Sequence, residues 1–287
     1  MASIFYVDDH WATSSTMTVD LHLHGLWNST VVFDGARSIR RMVPDLLRHC
    51  ERMVAAAPSL LLESPIDAKA MARIAMEGVA KFPAEAELYI RPMLYGVGEK
   101  LYPPEGTRFM LQVQEVPLKR GGFAATTRSA FRRPSPGTLP THCKAGWLYQ
   151  HALIEINRVR QLGFDEAVML DPEGRVVEFA GSNLFWVKDG VVHTPKPNGS
   201  FLAGVTRRRV LELLRADGIQ VVERNMTPEE IPEADEIFAA GNMAKIRPML
   251  RLDDRHYQRG PVSTRVHELY WNFAAGYSLE HEIAQSH

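Results

Sequence analysis

The sequence predicts an α+β protein with a smaller first domain and a larger second one. Three observations support this prediction. Short β-branched and aromatic runs alternate with two helical patterns in the first third of the chain. A rapid succession of strand-like runs fills the second half, and Gly, Pro, Ser, Thr and Arg dominate residues 119–141 between them. The 287 residues exceed the roughly 150 of a typical domain, which favours two domains and leaves one large domain open.

The first predicted domain, residues 1–118, is a small α+β unit. Leu46, Leu47, Cys50, Met53 and Val54 follow helical spacing, and a second helix shows the same pattern. The runs before them are rich in β-branched residues and broken by Gly or Asn, which predicts a hairpin. In chain order, the predicted elements are strands 17–25 and 30–39, helices 44–57 and 67–82, and strands 87–96 and 107–116.

The second predicted domain, residues 142–287, follows an interdomain loop over 119–141. A long loop in a compact protein is usually functional or disordered. Asp189-Gly190 between two apolar runs predicts a hairpin within a meander or barrel-like sheet. The predicted elements are helix 146–162, strands 166–170, 175–179, 183–188 and 191–195, helix 206–216, strand 219–224, helix 228–233, strands 236–239 and 245–251, and helix 263–274.

Composition excludes several classes of protein. A net charge of −1 gives no electrostatic reason to expect nucleic acid or an anionic membrane as a partner. Cys50 and Cys143 are too few for a disulfide framework, and neither a signal peptide nor an apolar run of about 20 residues is evident, so we expect a cytoplasmic protein. His22, His24 and His49 lack the spacing of metal ligands, so no metal site is expected.

Three strings carry the chemical signal: KAGWLY at 144–149, EFAGSNLFWVKDG at 178–190 and LAGVTRRRVLELL at 202–214. Together they resemble the class IV pyridoxal phosphate aminotransferases, which include branched-chain amino acid aminotransferases, D-amino acid transaminases and (R)-selective amine transaminases. The resemblance extends from about Leu21 to about Pro248. It implies fold type IV, pyridoxal 5′-phosphate as cofactor, and a homodimer in which the small domain of one subunit closes the other's pocket.

The resemblance assigns catalytic roles to residues of the first two strings. Lys144 occupies the place of the lysine that attaches the cofactor and then acts as a general base. Glu178 occupies the place of the carboxylate that keeps the pyridine nitrogen protonated, which requires a fixed negative charge. Tyr149 is predicted to contact the phenolic oxygen of the cofactor, or to be a packed helix aromatic.

The third string implies a phosphate site. Gly204 lets the backbone approach closely, Val205 and Thr206 would donate from the first turn of a helix, and Leu202 would pack on the ring. Arg52 matches the arginine of the family's H-x-x-R element and would bind the phosphate through two hydrogen bonds, or is a surface residue. Asn242 stands where the family usually has threonine and is kept as a cofactor contact.

Substrate recognition is predicted from two further strings. In YIRP, Tyr89 and Arg91 lie two residues apart on a strand and therefore share a face, either toward a substrate carboxylate or toward water. HGLWNSTVVFDGAR resembles a family element in which Asn28 replaces a tyrosine of the substrate pocket. The remaining candidates are Arg37, as a second carboxylate anchor or a structural residue, Trp147, and Met243.

The leading hypothesis is a ping-pong aminotransferase that moves an amino group from a donor, first of all a branched-chain L-amino acid, to a keto acid. Asn28, Trp147 and Met243 motivate an alternative with D-amino acids or (R)-amines as donors. A lyase resembling aminodeoxychorismate lyase and a non-catalytic binding protein on the same scaffold are further alternatives.

Overall fold

The computed structural model describes residues 2–13, 18, 20 and 23–285. The first half of the chain forms β1 (Ser3–Val7), β2 (His10–Thr13), α1 (His24–Trp27), β3 (Val31–Phe33), β4 (Ala36–Ile39), α2 (Leu46–Ala56), a 3₁₀ helix (Ala57–Leu60), α3 (Ala68–Ala80), β5 (Glu87–Val97), β6 (Gly106–Glu115) and β7 (Phe123–Thr126).

The second half begins with a 3₁₀ helix (Gly146–Tyr149) that leads into α4 (Gln150–Gln161). It continues with β8 (Glu166–Leu170), β9 (Val176–Phe179), β10 (Asn183–Lys188), β11 (Val191–Pro195), α5 (Val205–Ala216), β12 (Val221–Arg224), a 3₁₀ helix (Pro228–Glu233), β13 (Glu236–Gly241), β14 (Lys245–Leu252), β15 (Arg255–His256), α6 (Pro261–Gly276) and α7 (Leu279–Gln285).

The contacts divide the chain into two compact units. The first unit comprises Met1–Leu118, Cys143–Trp147 and Ala274–His287. The second comprises Lys119–His142 and Leu148–Phe273. Two short pieces of the C-terminal half, residues 143–147 and 274–287, therefore associate with the first unit.

The first unit contains an antiparallel sheet. In the part of the chain that the structure describes, its strand order is β2-β1-β6-β5-β3, and β4 also pairs with β5. Along β5, Leu88, Ile90 and Leu94 are buried, and α3 packs on β5 and β6. Because side chains alternate along a strand, Tyr89 and Arg91 lie on the opposite face.

The helices and long strands of the first unit were predicted correctly, but its beginning was not. Strand 17–25 lies partly outside the described residues, and its last two residues belong to α1. The predicted strand 30–39 consists of β3 and β4, both paired with β5. The hairpin β1–β2 was missed; its turn places Asp8 and Asp9 at φ 48° and 61°, as a type I′ turn requires, without the usual glycine.

The sheet of the second unit curls on itself. Its order is β12-β11-β10-β13-β14-β7-β8-β9, with β15 on β14. In a flat sheet, β10 and β9 would lie about 24 Å apart, at about 4.8 Å for each of five neighbouring pairs. The chain nevertheless passes from Phe179 to Asn183 in four residue steps, which span at most about 15 Å. The sheet is therefore barrel-like, as predicted.

Three predictions for the second unit need correction in detail. The predicted loop 119–141 contains β7, which pairs in parallel with β8 and β14. Parallel partners distant in sequence leave no local signal, which explains the omission. Helix 146–162 begins as a 3₁₀ turn. The element at 228–233 is a 3₁₀ helix, and a capping box of Thr227 and Glu230 stabilises its N-terminus.

Nowhere in the described parts of the chain is a helix both long and apolar enough to span a membrane.

Candidate active site

Lys144 lies beside β3 in the first unit. Its carbonyl oxygen accepts a hydrogen bond from the backbone of Phe33 at 2.9 Å, and its Nζ lies 4.9 Å from the centroid of the Phe33 ring. The next residue toward the N-terminus, Cys143, is buried and its Sγ contacts the carbonyl of Ala56 at 3.6 Å. These contacts fix the backbone of Lys144, and the half-buried side chain ends over an aromatic ring.

Arg52 belongs to a buried ionic cluster in the same unit. Its Nε and Nη2 each donate to Asp34 at 2.8 Å, and His49 Nδ1 lies 2.7 Å from Asp34 Oδ1. Burial raises the pKa of Asp34, but the charges of Arg52 and His49 outweigh it and hold that pKa well below its ordinary value. Arg52 therefore uses its Nε and Nη2 to bind Asp34. The sequence had indicated no role for Asp34.

Arg37, Tyr89 and Arg91 share one face of the first sheet. Arg37 is directly opposite Tyr89 in the antiparallel pairing of β4 and β5, so their side chains point to the same side. The Cζ of Arg91 lies 5.1 Å from the centroid of the Tyr89 ring, as the strand alternation predicts. Arg37 is fully buried, and its Nη2 donates to the carbonyl of Val116 at 2.5 Å. Two guanidinium groups and a phenol thus surround one patch of sheet.

The two other candidate substrate residues of the first unit lie at its edges. Asn28 is the C-cap of α1, and its Nδ2 donates to the carbonyl of Leu101 at 3.3 Å. His24 Nε2 lies 3.1 Å from the same carbonyl, so α1 is tied to the 98–105 loop by two polar side chains. Trp147 is half-buried in the 3₁₀ helix that precedes α4.

Glu178 lies in the second unit, buried at the end of β9 and paired on both oxygens. Its Oε1 lies 2.8 Å from Arg133 Nη2, and its Oε2 accepts a hydrogen bond from Asn183 Nδ2 at 3.1 Å. Arg133 also donates to the carbonyl of Ala180 at 2.9 Å, which ties it to the β9–β10 turn. A carboxylate can accept about four hydrogen bonds, so Glu178 can still accept one from a protonated heterocycle.

His151 completes this network from α4. Its Nε2 lies 3.2 Å from Arg133 Nη1, and because a guanidinium can only donate, the histidine nitrogen must accept. Burial and the charge of Arg133 lower the pKa of His151 to about 4, so the ring is neutral and able to accept at neutral pH. Sequence reasoning missed His151 and Arg133; the only available signal was an arginine before a proline in an irregular segment.

The predicted phosphate residues lie at the start of α5. Gly204 is the N-cap, and Val205 and Thr206 are buried in the first turn. Asn183 Nδ2 also donates to the carbonyl of Leu202 at 3.1 Å, and a Cβ added to Gly204 would overlap Asn183 Oδ1. Asn183 therefore links Glu178 to the residues before α5, and the tight contact explains why a glycine stands at 204.

The remaining candidates of the second unit lie at the β13–β14 turn and at the start of α4. Asn242 and Met243 belong to the turn between β13 and β14, where Asn242 Oδ1 accepts a hydrogen bond from Lys245 Nζ at 2.9 Å. Met243 is 38% exposed. Tyr149 ends the 3₁₀ helix and is the N-cap of α4. Within the described residues, no group of three or more His, Cys, Asp or Glu side chains is arranged to hold a metal ion.

The low pKa of His151 predicts a pH-dependent stability. The folded pKa of about 4 lies below the ordinary 6.5, so the unfolded chain takes up the proton first and stability falls as pH drops through this interval. Replacing His151 with Gln keeps an acceptor for Arg133 but removes the titration. We expect the Tm of the H151Q variant to fall less between about pH 7.5 and about pH 5 than that of the unsubstituted protein, by about 2 °C or more.

Two measurements make this test specific. The exposed His256, replaced by Gln, serves as the control and should leave the pH dependence of Tm unchanged. Burial raises the pKa of Glu166 to about 7, which acts in the opposite sense, so only the difference between each variant and its parent is compared. If Tm falls equally with pH in H151Q and in the unsubstituted protein, His151 is not the neutral acceptor assigned here.

The family model for amino-transferase class IV matches residues 31–252. This range is most of the chain and includes Lys144, Glu178 and the start of α5. The chain therefore belongs to the class IV aminotransferases, and the predictions of family and fold are confirmed.

Individual relatives agree with this assignment. The chain is 29% identical over 281 residues to a probable branched-chain-amino-acid aminotransferase of Aquifex aeolicus, covering 92% of this chain and 88% of that protein. It is 31% identical over 270 residues to the branched-chain-amino-acid aminotransferase of Escherichia coli strain K12, covering 88% and 87%. A crystal structure of a Brucella abortus aminotransferase bound to PLP is 36% identical with a TM-score of 0.92, covering 96% of this chain and 100% of that one.

Proposed function

We propose that this chain is a pyridoxal 5′-phosphate-dependent aminotransferase that moves the amino group of a branched-chain L-amino acid to a keto acid such as 2-oxoglutarate. The observation that supports an amino acid as donor is the shared face of Tyr89, Arg91 and Arg37, which groups donors suited to a carboxylate. Two relatives named as branched-chain aminotransferases support the same class.

The donors and acceptors of the second unit fit this cofactor. Glu178 supplies a buried carboxylate whose two oxygens are held in place, as a pyridine N–H requires. The start of α5 offers backbone N–H groups and the hydroxyl of Thr206 to a phosphate, and its N-cap, Gly204, has no side chain to occupy them. Asn242 adds an amide donor at the β13–β14 turn.

Each residue is assigned one task. When bound, the cofactor supplies the electron sink for breaking the bond to the α-hydrogen. The amine of Lys144 would attach the cofactor and, once released, would serve as the base that accepts the substrate's α-hydrogen as a proton. Glu178 keeps the proton on the pyridine nitrogen, and Tyr149 donates to the phenolic oxygen. The phosphate and the ring are held by Gly204, Val205, Thr206, Asn242, Arg52 and Leu202.

The substrate is held by residues with complementary chemistry. Tyr89 and Arg91 bind its carboxylate, and Arg37 supports them from the neighbouring strand. Asn28, Trp147 and Met243 shape the space for the side chain. Because Arg52 uses its Nε and Nη2 for Asp34, it cannot offer that pair of donors to the phosphate, as the sequence had implied.

A comparison of amino donors tests the substrate class. With 2-oxoglutarate as acceptor, we expect L-leucine to be used in preference to D-alanine and (R)-1-phenylethylamine. The last donor has no carboxylate and would leave Arg91 and Tyr89 without their partner, so its kcat/KM should be lower on the order of 10⁴-fold. Turnover of the amine or of D-alanine without turnover of L-leucine would replace this proposal with the second candidate, which the departures at Asn28, Trp147 and Met243 favour.

The same assay, repeated without a keto acid, tests the lyase alternative. Transamination needs a keto acid in every turnover, whereas elimination does not. Repeated turnover without any added keto acid, beyond one product per active site, would identify a lyase. Absence of product together with absence of cofactor binding would indicate a non-catalytic protein.

A homodimer in the cytoplasm is part of the proposal. Leu26, Trp27, Leu101 and Tyr102 are all more than half exposed, and the hydrogen bonds from α1 to Leu101 bring them together. An exposed apolar cluster of this kind is typical of an interaction surface.

Both cysteines, Cys50 and Cys143, are buried free thiols, as expected in a reducing compartment. Sedimentation of the purified protein measures its mass and decides between monomer and dimer.

A further inference from the structure

Lys245 is an unusual lysine in two respects. It is 1% exposed, whereas lysine is almost never fully buried unless paired. Its φ is 61°, in the left-handed region. Hairpin turns often have a residue in this conformation, and it is commonly a glycine. A strained conformation in a residue without glycine's freedom is a reason to look for a function.

The ammonium group of Lys245 fixes the orientation of Asn242. Its Nζ lies 2.9 Å from Asn242 Oδ1 and 5.9 Å from the centroid of the Tyr270 ring. An ammonium group only donates hydrogen bonds, so it requires the oxygen of the amide and rejects the NH₂ group. The Nδ2 of Asn242 must therefore point away from Lys245.

The Nδ2 of Asn242 is a buried donor that calls for an acceptor. Among the residues that the structure describes, none accepts a hydrogen bond from it. Buried polar groups are almost always paired, so an unpaired donor indicates a ligand or water. A donor beside an ammonium charge favours an anionic oxygen.

The turn that carries Asn242 lies at the same end of the sheet as the start of α5. Ala240, two residues before Asn242, pairs with Asn183 across β13 and β10. Asn183 in turn contacts Leu202 and abuts Gly204, the N-cap of α5. The amide donor and the helix N-terminus thus belong to one part of the second unit.

We infer that Lys245 is a positioning residue that presents the NH₂ group of Asn242, rather than its oxygen, to the phosphate of the cofactor. The inference rests on the proposed function and adds a residue to it. A threonine hydroxyl at this position, the usual residue of the family, rotates to donate without help. The asparagine amide has one donating and one accepting end, and Lys245 selects the donating end.

Cofactor binding tests this inference without measuring activity. Cofactor-free protein is titrated with pyridoxal 5′-phosphate and, separately, with pyridoxal, which has no phosphate. We expect the K245M variant to raise the Kd of pyridoxal 5′-phosphate about tenfold or more and to leave that of pyridoxal within about twofold. Met is unbranched at Cβ and tolerates the backbone at 245 about as well as lysine does.

A second background separates orientation from charge. In the N242T background, Lys245→Met should change the Kd of pyridoxal 5′-phosphate by less than about threefold, because the hydroxyl needs no orientation. Lys188, which is only partly buried and pairs with Asp235, is replaced by Met as the matched control.

The possible results are distinct. An equal loss of affinity on Lys245→Met with Asn242 in place and in the N242T background would overturn the positioning role while leaving the proposed function intact. Equal weakening for pyridoxal and its phosphate would do the same. If the unsubstituted protein does not bind pyridoxal 5′-phosphate at all, the proposed function falls together with this inference.

Discussion

Replacement of Lys144 with alanine is expected to abolish covalent attachment of pyridoxal 5′-phosphate and to lower kcat/KM for L-leucine by at least about 10²–10⁴-fold, the usual contribution of a positioned general base. Borohydride reduction followed by mass spectrometry measures the attachment. In the unsubstituted protein, the mass of the reduced cofactor should remain on the peptide that contains residue 144.

Controls distinguish a chemical role of Lys144 from a structural one. The Nζ of Lys144 lies over Phe33, so its removal loses a modest cation–π contact and should change Tm little. Lys188→Ala, at a partly buried lysine of the second unit, should leave attachment and activity unchanged. Added methylamine should partly restore turnover of K144A, because a free amine can replace the missing base. Cofactor attached at another lysine in the unsubstituted protein would refute the assignment.

The sequence predicted the helices and strands whose apolar residues recur at regular spacing. The apolar spacing of 44–57 and 67–82 located α2 and α3, and the alternation in YIRP placed Tyr89 and Arg91 on one face. The three strings assign roles to Lys144, Glu178 and the start of α5, and these roles stay predictions. These features depend on residues close in sequence, which a single chain displays directly.

Contacts between distant residues gave no such signal. Arg133 lies in a segment without periodicity, and its pairing with Glu178, 45 positions later (178 − 133), depends on the curled sheet of the second unit. Asp34 lies within the predicted strand 30–39, yet it is a fully buried carboxylate bound by Arg52 and His49 of the following helix. The parallel pairing of β7 was missed for the same reason. A buried charge cannot be predicted until its partner is known.

The Glu178–Arg133 pair predicts a loss of both stability and activity on substitution. Both side chains are 7% exposed, and breaking a buried ion pair by removing one partner costs about 3–5 kcal/mol. For Glu178→Gln, which keeps an acceptor for Arg133, we expect the free energy of unfolding of the cofactor-free protein to fall by about 3 kcal/mol. The neutral amide cannot hold a proton on the pyridine nitrogen, so kcat should fall on the order of 10²–10³-fold.

A second substitution separates these two effects. Arg133→Met in the Glu178→Gln background removes the uncompensated guanidinium and fills its space with an apolar side chain, so at least half of the lost stability should return. The recovery is incomplete because Ala180 and His151 lose their donor. Activity should not return, since the negative charge is still absent. Denaturant unfolding and single-turnover kinetics measure the two quantities. If kcat rises with stability in the double variant, Glu178 acts through the fold and not through the charge that it presents to the cofactor.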